Sequence, residues 1–198
     1  SHHIPGLLGQ VVHARGSGCR MKRIHIVIPS FNRAASVVAA HAVTADALCV
    51  PESQADEYRK YKYPVEIVTH PDGIKGIALK RQWICDRFGD VFQVDDDVRC
   101  FTRMYIPTYR RDARMSAVDA REVIQATYET AIDMGAYIFS LAPNGDARTF
   151  EPMKPLRVTG HINGAGFGLR AGSKLRFDPR AVGVGDHVIT GTNAYFHR

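Results

Sequence analysis

The sequence has few cysteines and no long apolar run, and both absences exclude common classes of protein. No two of its four cysteines have CxxC spacing, and two of them fall in predicted core segments, so reduced thiols fit better than a disulfide framework or a zinc site. No stretch approaches the roughly 20 apolar residues that a transmembrane helix needs, so we expect a cytoplasmic protein with no membrane partner. The cysteines are Cys19, Cys49, Cys85 and Cys100.

The length and charge of the chain narrow the remaining possibilities. Its 198 residues are enough for one domain with a buried core, which we place at residues 21–198. Residues 1–20 are rich in glycine and histidine and lack the apolar core of a signal peptide, so we expect a flexible leader or an appended segment there. The net charge of +6 suits a ligand that carries phosphate or a nucleic acid partner.

Short apolar runs alternate with helical patterns along the chain. This alternation predicts an α/β fold in which helices cover both faces of a mostly parallel central sheet. Ser116 with Asp119 has the pattern of a capping box for a helix that ends near Met134. The other predicted strands are 21–29, 47–50, 65–68, from 91, 137–140 and 157–161, and the other predicted helices are 34–43, 53–61, 77–88 and one from about 187.

Three consecutive carboxylates, Asp95, Asp96 and Asp97, follow the predicted fourth strand. Adjacent carboxylates repel one another, so this run suggests a cation held between the protein and an anionic ligand. Mg²⁺ is usually held by one or two carboxylates plus substrate phosphates. If the strand alternation continues, Asp95 and Asp97 share a face and Asp96 points away. The run therefore predicts a metal–diphosphate site, and the alternative is an acidic turn that ends the strand.

Two later segments also have the composition of ligand sites. Residues 103–121 carry five arginines with two tyrosines interleaved, which is typical of a nucleic acid groove or, alternatively, of a solvated loop. Residues 160–170 are dense in glycine, which permits close approach of the backbone to a ligand. No Gly-Lys-Ser or Gly-Lys-Thr is present there to form a Walker loop.

These segments, in this order, resemble the GT-A glycosyltransferases over roughly residues 21–198. Residues 28–33 (Ile-Pro-Ser-Phe-Asn-Arg) resemble the opening of that fold, and the three aspartates resemble its DxD motif. Residues 167–170, 177–178 and 185–186 resemble the acceptor-side segment that ends in a Glu-Asp motif. Residues 50–52 and 76–84 resemble, more specifically, the phage TET/JBP-associated glycosyltransferases, which are thought to add sugars to hydroxymethylated pyrimidines in DNA.

The resemblance implies a single GT-A (Rossmann-like) domain with a nucleotide-binding half, 21–98, and an acceptor-side half, 99–198. In the donor pocket, Glu52 is expected to meet the base, Arg81 the base or the diphosphate, and Asp96 the donor sugar. Asp95 is expected to meet the ribose or a metal ion. The residues expected to bind the donor are Pro29, Ser30, Asn32, Arg33, Glu52, Arg81, Asp95 and Asp96.

The resemblance also implies a metal site and a catalytic base. Asp97 would ligate Mn²⁺ or Mg²⁺ together with Asp95, and Asp186 matches the usual base of inverting members, although Gly185 replaces the glutamate before it. The alternative for Asp186 is a helix cap without a catalytic role. The family often adds a late histidine to the metal site. We favour His197 over His187, because residues 191–193 form a poor helix interior and could end the last helix early, which lets the chain return toward the aspartates.

These expectations combine into one leading function with open alternatives. The leading function is an inverting, metal-dependent transfer of a sugar from a nucleoside diphosphate donor, with a UDP-sugar favoured, to 5-hydroxymethylcytosine or another 5-hydroxymethylpyrimidine in phage DNA. This reaction would take place in a phage-infected or bacterial cell. The alternatives are transfer to a surface glycan, a nucleotidyltransferase, or a nucleotide-sugar-binding module; residues 28–33 lack the glycine expected of a nucleotidyltransferase loop. The residues expected to bind the acceptor are Asn163, Gly164, Gly166, Arg110 and Arg111.

Overall fold

The computed structural model describes residues 22–103, 113–142, 156–158, 160–181 and 183–197. Within these ranges the strands are β1 (His25–Pro29), β2 (Ala47–Pro51), β3 (Glu66–His70), β4 (Val91–Val94), β5 (Ile138–Ser140) and β6 (Gly166–Leu169). The helices are α1 (Ala39–Ala42), α2 (Ala55–Arg59), α3 (Ile77–Phe88), α4 (Ala117–Asp133) and α5 (Gly185–Phe196), with a 3₁₀ turn at Glu52–Gln54.

The six strands form one sheet in the order β3-β2-β1-β4-β6-β5. Strands β1 to β4 are parallel, and β6 runs antiparallel to both of its neighbours. The predicted α/β fold with a mostly parallel sheet is confirmed. Because parallel strands end at the same edge, the loops that follow β1, β2, β3 and β4 meet there, which is where open α/β sheets bind their ligands.

Each face of the sheet has its own apolar core. Ile24, Ile26 and Ile28 lie on one face, as the sequence predicts, and pack with residues of α1, α2 and α4. Val27 faces the other side, toward residues of α3 and α5. Strands buried on both faces read as continuous apolar runs, which is why the sequence identifies β1 well. Among the described helices, none is long and apolar enough to span a membrane.

Helices α3 and α4 begin where their sequences predict. Helix α3 has the predicted bounds, 77–88. For α4, the Ser116 hydroxyl accepts a hydrogen bond from the Asp119 N–H, and the Asp119 carboxylate accepts one from the Ser116 N–H, so the capping box is confirmed.

The predicted helix at 34–43 is wrong over most of its length, since helical structure is limited to Ala39–Ala42. Tyr63 explains the difference, because its hydroxyl accepts from the Val37 N–H at 3.1 Å and donates to the Ala34 carbonyl at 2.7 Å. Those two backbone groups would otherwise bond within a helix. The helix predicted at 53–61 is likewise shorter and follows a 3₁₀ turn.

The second half of the chain departs further from the predicted elements. Residues 157–158 and 160–161 are not in a strand, and the strand lies instead at 166–169, in the glycine-dense segment. A Cβ atom on Gly168 would lie 2.1 Å from the ring of Phe139, so the aromatic ring crosses this strand only because the residue is glycine. The predicted early end of α5 is also wrong, because the helix continues through Gly191 to Phe196.

Two of the cysteines contribute to these cores. Cys49 and Cys85 are buried and free. Burial raises the pKa of both thiols to about 12, so neither is ionised near neutral pH. This agrees with the predicted reduced thiols in core segments.

Candidate active site

A pocket of about 860 Å³ lies at the carboxyl edge of the parallel strands. Its walls come from the loops after β1, β2, β3 and β4, the first turn of α3, and the segment that leads into α5. The lining residues are Pro29, Ser30, Phe31, Arg33, Pro51, Ser53, Asp72, Ile74, Lys75, Gly76, Ile77, Ala78, Lys80, Arg81, Asp95, Asp96, Asp97, Gly164, Phe177, Asp178, Ala181, Gly183, Gly185 and Asp186.

The three aspartates occupy a turn, so the predicted strand alternation does not apply to them. Strand β4 ends at Val94, and the Val98 N–H donates to the Asp95 carbonyl at 3.2 Å. Each carboxylate therefore faces a different set of partners. The alternation argument fails because it assumes that extended backbone continues past the last paired residue.

Asp96 is the most tightly held of the three carboxylates. Its Oδ2 accepts from the Ser30 hydroxyl at 2.6 Å, and its Oδ1 accepts from Arg33 Nη1 at 3.0 Å. The Ser30 oxygen is 2.8 Å from the Tyr58 hydroxyl, which accepts from the Arg33 N–H at 3.1 Å. Since Ser30 uses its proton on Asp96, Tyr58 must donate to Ser30. The result is a directed chain of buried hydrogen bonds. Because the groups form a network, removal of any one of them should lower stability by more than a single isolated hydrogen bond would.

Asp97 is held far more weakly. Its side chain is 68% exposed, and its contact with Arg33 Nη1 is 3.4 Å long. At this distance the interaction with Arg33 is marginal as a hydrogen bond. Asp97 therefore presents carboxylate oxygens to the pocket.

Asp95 is linked to the glycine-dense segment through an arginine. Arg81 Nη2 donates to Asp95 Oδ1 at 2.6 Å and to the carbonyl oxygen of Gly164 at 2.9 Å, and its guanidinium lies 5.1 Å from the centre of the Phe167 ring. Burial raises the pKa of Asp95 above its ordinary value, although the Arg81 cation acts in the opposite direction. Arg81 thus joins α3, the aspartate turn and the glycine-dense segment.

Asp186 lies on the same wall as this arginine. A Cβ atom on Gly164 would be 3.0 Å from Asp186 Oδ2, so the carboxylate lies against the backbone at residue 164. Asp186 Oδ1 accepts from the His187 N–H at 2.9 Å. The N-cap of α5 is Val184, and it makes no side-chain cap. The structure therefore contradicts the alternative in which Asp186 serves only as that cap, and it brings Asp186 and Asp95 to one pocket.

Lys80 is a pocket residue that the sequence analysis did not predict. It is only 4% exposed, and its Nζ donates to the Ser30 carbonyl at 2.6 Å and lies 5.4 Å from the centre of the Phe31 ring. Burial lowers the pKa of Lys80, while the nearby Cys49 and Asp96 act in the opposite direction. The available signal was its place beside Arg81 in the first half of α3, but periodicity does not reveal which helix face meets a pocket.

Two residues predicted to bind the donor lie outside the pocket lining. Asn32 has a positive φ of 54°. Its backbone N–H donates to Gln54 Oε1 at 2.9 Å, and its side-chain oxygen accepts from Gln54 Nε2. Glu52 is exposed at the start of the 3₁₀ turn. At this end of the pocket the lining carboxylate is instead Asp72, whose Oδ1 accepts from the backbone N–H and the hydroxyl of Ser53.

The predicted acceptor residues are divided. Gly164 lines the pocket, whereas Asn163 and Gly166 do not. The Asn163 side chain accepts from the Ala165 N–H at 3.2 Å, and Gly166 lies in β6 beside the ring of Phe92. Arg110 and Arg111 lie outside the described residues.

Neither late histidine lines the pocket. His197, at the end of α5, packs against Tyr137 with 4.1 Å between ring centres and 30° between the ring planes, and it accepts from the Lys174 N–H. His187 stacks on His161 at 4.9 Å. The predicted return of His197 to the aspartates does not occur, because Ile189 is buried in the core and the cost of one glycine in a helix, about 1 kcal/mol, is small beside such packing.

The carboxylates fit a divalent ion that takes most of its ligands from elsewhere. In the described ranges, no group of three His, Cys, Asp or Glu residues could hold a metal ion. Asp96 is a poor ligand because both of its oxygens are already bonded. Asp97 is exposed, and only one oxygen of Asp95 is bonded to Arg81. One or two carboxylates plus substrate phosphates is the usual Mg²⁺ arrangement, and Asp97 with Asp95 would supply the protein part of it.

Sequence comparison identifies the family of this chain. The model of the TET-Associated Glycosyltransferase family matches residues 24–142, which is more than half of the chain and includes the loops after β1 to β4, the aspartates and Arg81. A search of curated proteins finds no match. The chain belongs to the TET-Associated Glycosyltransferase family, and it is a glycosyltransferase.

Proposed function

We propose that this protein is a metal-dependent, inverting glycosyltransferase that moves a sugar from a nucleoside diphosphate to the hydroxyl of a 5-hydroxymethylpyrimidine in DNA. The observation that carries the proposal is one pocket that holds the aspartates after β4, with Asp97 exposed and Asp95 half-buried, and a separate carboxylate, Asp186, against the backbone of Gly164. One group of carboxylates suits a cation with a diphosphate, and the other suits proton transfer.

The middle of the pocket suits the diphosphate. Gly76, Ile77 and Ala78 line it, and α3 begins there without a side-chain cap, so the first N–H groups of this 12-residue helix are available to an anion. The Lys80 ammonium, held at the Ser30 carbonyl, adds a positive charge to the same pocket. The exposed ring of Phe31, 59% accessible, offers a stacking surface for the nucleobase.

Asp97 and Asp95 would hold Mn²⁺ or Mg²⁺. A bound divalent ion supplies neutralisation of the negative charge that develops on the departing nucleoside diphosphate. Arg33 contacts Asp96 and Asp97, and Arg81 contacts Asp95, so both arginines also lie where a leaving diphosphate would form. The protein thus orients the donor from several directions.

The chemical step assigned to this chain is proton removal by Asp186. As the acceptor hydroxyl attacks the anomeric carbon, its proton passes to the Asp186 carboxylate, a C–O bond forms, and the bond from that carbon to the phosphate oxygen breaks. A single displacement inverts the anomeric configuration. The pocket adds proximity, because donor and acceptor are bound side by side.

A DNA acceptor is supported by the net charge of +6 and by the five arginines of residues 103–121. Residues 104–112 lie outside the described structure, but their flanks are described: the Arg103 N–H donates to the Ala113 carbonyl at 2.7 Å, and the Met115 N–H donates to the Phe101 carbonyl at 2.8 Å. Since Asp186 lies in a pocket, a modified base in duplex DNA would have to leave the stack to reach it.

The deciding experiment uses the protein with Mn²⁺, a panel of nucleotide sugars, and DNA that contains 5-hydroxymethylcytosine. After digestion to nucleosides, mass spectrometry should detect a nucleoside heavier by one sugar. DNA of the same sequence with unmodified cytosine is the control and should give none. Equal transfer to the unmodified DNA, or hydrolysis of the donor without transfer to the hydroxymethylated DNA, would refute this acceptor.

A second measurement tests the DNA contact. Binding should weaken steeply as salt rises, and Arg110→Ala with Arg111→Ala should weaken DNA binding without changing donor affinity. Arg59→Ala with Arg87→Ala removes the same charge from exposed helix positions and serves as the matched control. An equal loss of DNA affinity in the two double variants would indicate a non-specific charge effect, and it would count against a DNA groove at 103–114.

A further inference from the structure

Thr190 connects the proposed base to the acceptor-side segment. Its hydroxyl donates to the Asp186 carbonyl at 2.6 Å within α5, and it accepts from the Ile162 N–H at 3.2 Å. The first bond is a common one for threonine in a helix, but the second joins the helix to a residue 28 positions away in the sequence. Thr190 is not one of the residues that line the pocket, so any effect it has on the reaction must pass through residues that do.

The backbone of Ile162 depends on this hydroxyl. Ile162 is 6% exposed and packs with Ile189 in one apolar core. Among the described residues, the Ile162 N–H donates to no other acceptor. A backbone N–H that is removed from water and left without a hydrogen bond is costly. Loss of the Thr190 hydroxyl would therefore leave this group unsatisfied or force the segment that begins there to move.

That segment, residues 162–165, contacts both groups of pocket carboxylates. The Ala165 carbonyl accepts from the Asp95 N–H at 2.9 Å. The backbone at Gly164 lies against the Asp186 carboxylate, because an added Cβ atom would be 3.0 Å from Oδ2. The segment thus fixes the position of one carboxylate relative to the other.

We infer that Thr190 is a positioning residue for glycosyl transfer, which holds Asp186 in register with Asp95. This inference rests on the proposed function, and it deepens it by adding a residue that acts on the base without touching the substrate. The two bonds of Thr190 fix the backbone of Asp186 and also the segment against which the carboxylate packs. A shift in either one changes the distance over which the acceptor proton must pass, and a misplacement of ~1 Å can cost on the order of 10²-fold in rate.

The test compares Thr190→Val, Thr190→Ser and Thr192→Val. Valine keeps the shape of threonine without the hydroxyl, whereas serine retains the hydroxyl. Thr192→Val is the matched control, because the Thr192 hydroxyl donates to the Val188 carbonyl in the same helix at 2.8 Å and accepts no hydrogen bond among the described residues. Steady-state transfer is measured with Mn²⁺, 5-hydroxymethylcytosine DNA and the nucleotide sugar that gives transfer in the panel, and calorimetry measures the affinity for that sugar's nucleoside diphosphate. Thr190→Val should lower kcat roughly tenfold with unchanged affinity, and the other two variants should stay near the parent.

Two further measurements separate positioning from a general loss of stability. Asp186→Asn removes the base, so the addition of Thr190→Val to it should cause little further loss of turnover, since both changes act on one group. Amide hydrogen exchange followed by NMR reports on the Ile162 N–H directly. Exchange should be several-fold faster in Thr190→Val than in the parent and should return to the parent rate in Thr190→Ser. If melting curves show that Thr190→Val is unfolded, Thr190→Ala is measured in the same way.

The outcomes separate this inference from the proposed function. Unchanged turnover in Thr190→Val, an equal loss in Thr192→Val, no recovery in Thr190→Ser, or a full additional loss in the Asp186→Asn background would each overturn the role of Thr190 while leaving an active glycosyltransferase. Unchanged exchange of the Ile162 N–H would show, whatever the activity, that the hydroxyl does not hold this segment. A parent that transfers no sugar would overturn the proposed function, and this inference with it.

Discussion

The two walls of the pocket are built differently. On the donor side, side chains far apart in sequence hold one another: Ser30 and Tyr58 bond in a chain with Asp96, and Lys80 reaches the Ser30 carbonyl. On the acceptor side, distant residues hold the backbone, since Arg81 bonds the Gly164 carbonyl and Gln82 bonds the Phe177 N–H, but the carboxylates are bonded locally. Asp186 accepts from the N–H of the next residue, and Asp178 pairs with Arg180 two residues later. Local contacts of this kind fix a side chain less firmly than a buried network does.

We therefore expect the two sides to have different roles. A donor side with a buried network is preorganised for a constant ligand, which is how binding costs are reduced. Acceptor-side carboxylates with local contacts can adjust to a large substrate. Changes within the buried donor-side network should therefore affect affinity and stability together, whereas changes at Asp186 should affect turnover alone.

The largest effect is expected at Asp97. Asp97→Ala should abolish transfer and remove the Mn²⁺ dependence of donor binding, because it deletes the exposed carboxylate that would ligate the metal. The fold should be retained, since the side chain is 68% exposed. Donor titrations with and without Mn²⁺ check this expectation. A variant that still binds donor more tightly with Mn²⁺ would show that Asp97 is not a ligand.

The next largest effect is expected at Asp186. Asp186→Asn retains the shape of the side chain but cannot accept a proton, so turnover should fall by roughly 10²–10⁴-fold while donor affinity persists. Steady-state rates together with donor calorimetry separate the two quantities. Near-normal turnover would assign Asp186 a structural role and leave the base unidentified.

A smaller effect is expected from Gly164→Ala. The added methyl group would lie 3.0 Å from Asp186 Oδ2 and must displace that carboxylate by a few tenths of an ångström. Since a misplacement of ~1 Å can cost on the order of 10²-fold, turnover should fall roughly tenfold with unchanged donor affinity. Gly166→Ala is the matched control, because its methyl group would meet Phe92 at an ordinary 3.5 Å. Equal losses in the two variants would implicate the segment as a whole.

The smallest effect on turnover is expected at Ser30. Ser30→Ala removes a hydrogen-bond donor from buried Asp96 and an acceptor from Tyr58, so it should lower the free energy of unfolding by about 1–3 kcal/mol and weaken donor binding a few-fold. Thermal melting measures the first change, with exposed Ser36→Ala as the control. If stability falls while donor affinity is unchanged, the network supports the fold without shaping the donor site.

The sequence predicted local structure well where local chemistry decides it. Buried parallel strands such as β1 read as apolar runs, α3 has its predicted bounds, and the Ser116 capping box is confirmed. The prediction of a helix at 34–43 fails because the hydroxyl of Tyr63, which is distant in sequence, bonds backbone groups that would otherwise have bonded within that helix. Strand β6 was missed because glycines have low strand propensity, and the need for glycine at residue 168 comes from the ring of Phe139, which is distant in sequence.

The candidate site shows the same division. The sequence by itself determined the α/β fold, because short apolar strands alternate with helical patterns, and its resemblance to a family also pointed to Arg33, Arg81, Asp95 and Asp186, which line one pocket. Only the tertiary structure decided that Lys80 and Asp72 line that pocket, that Asn32 and Glu52 do not, and that His197 lies at the far end of α5. These outcomes depend on the direction of side chains between distant segments, and a one-dimensional pattern does not contain that direction.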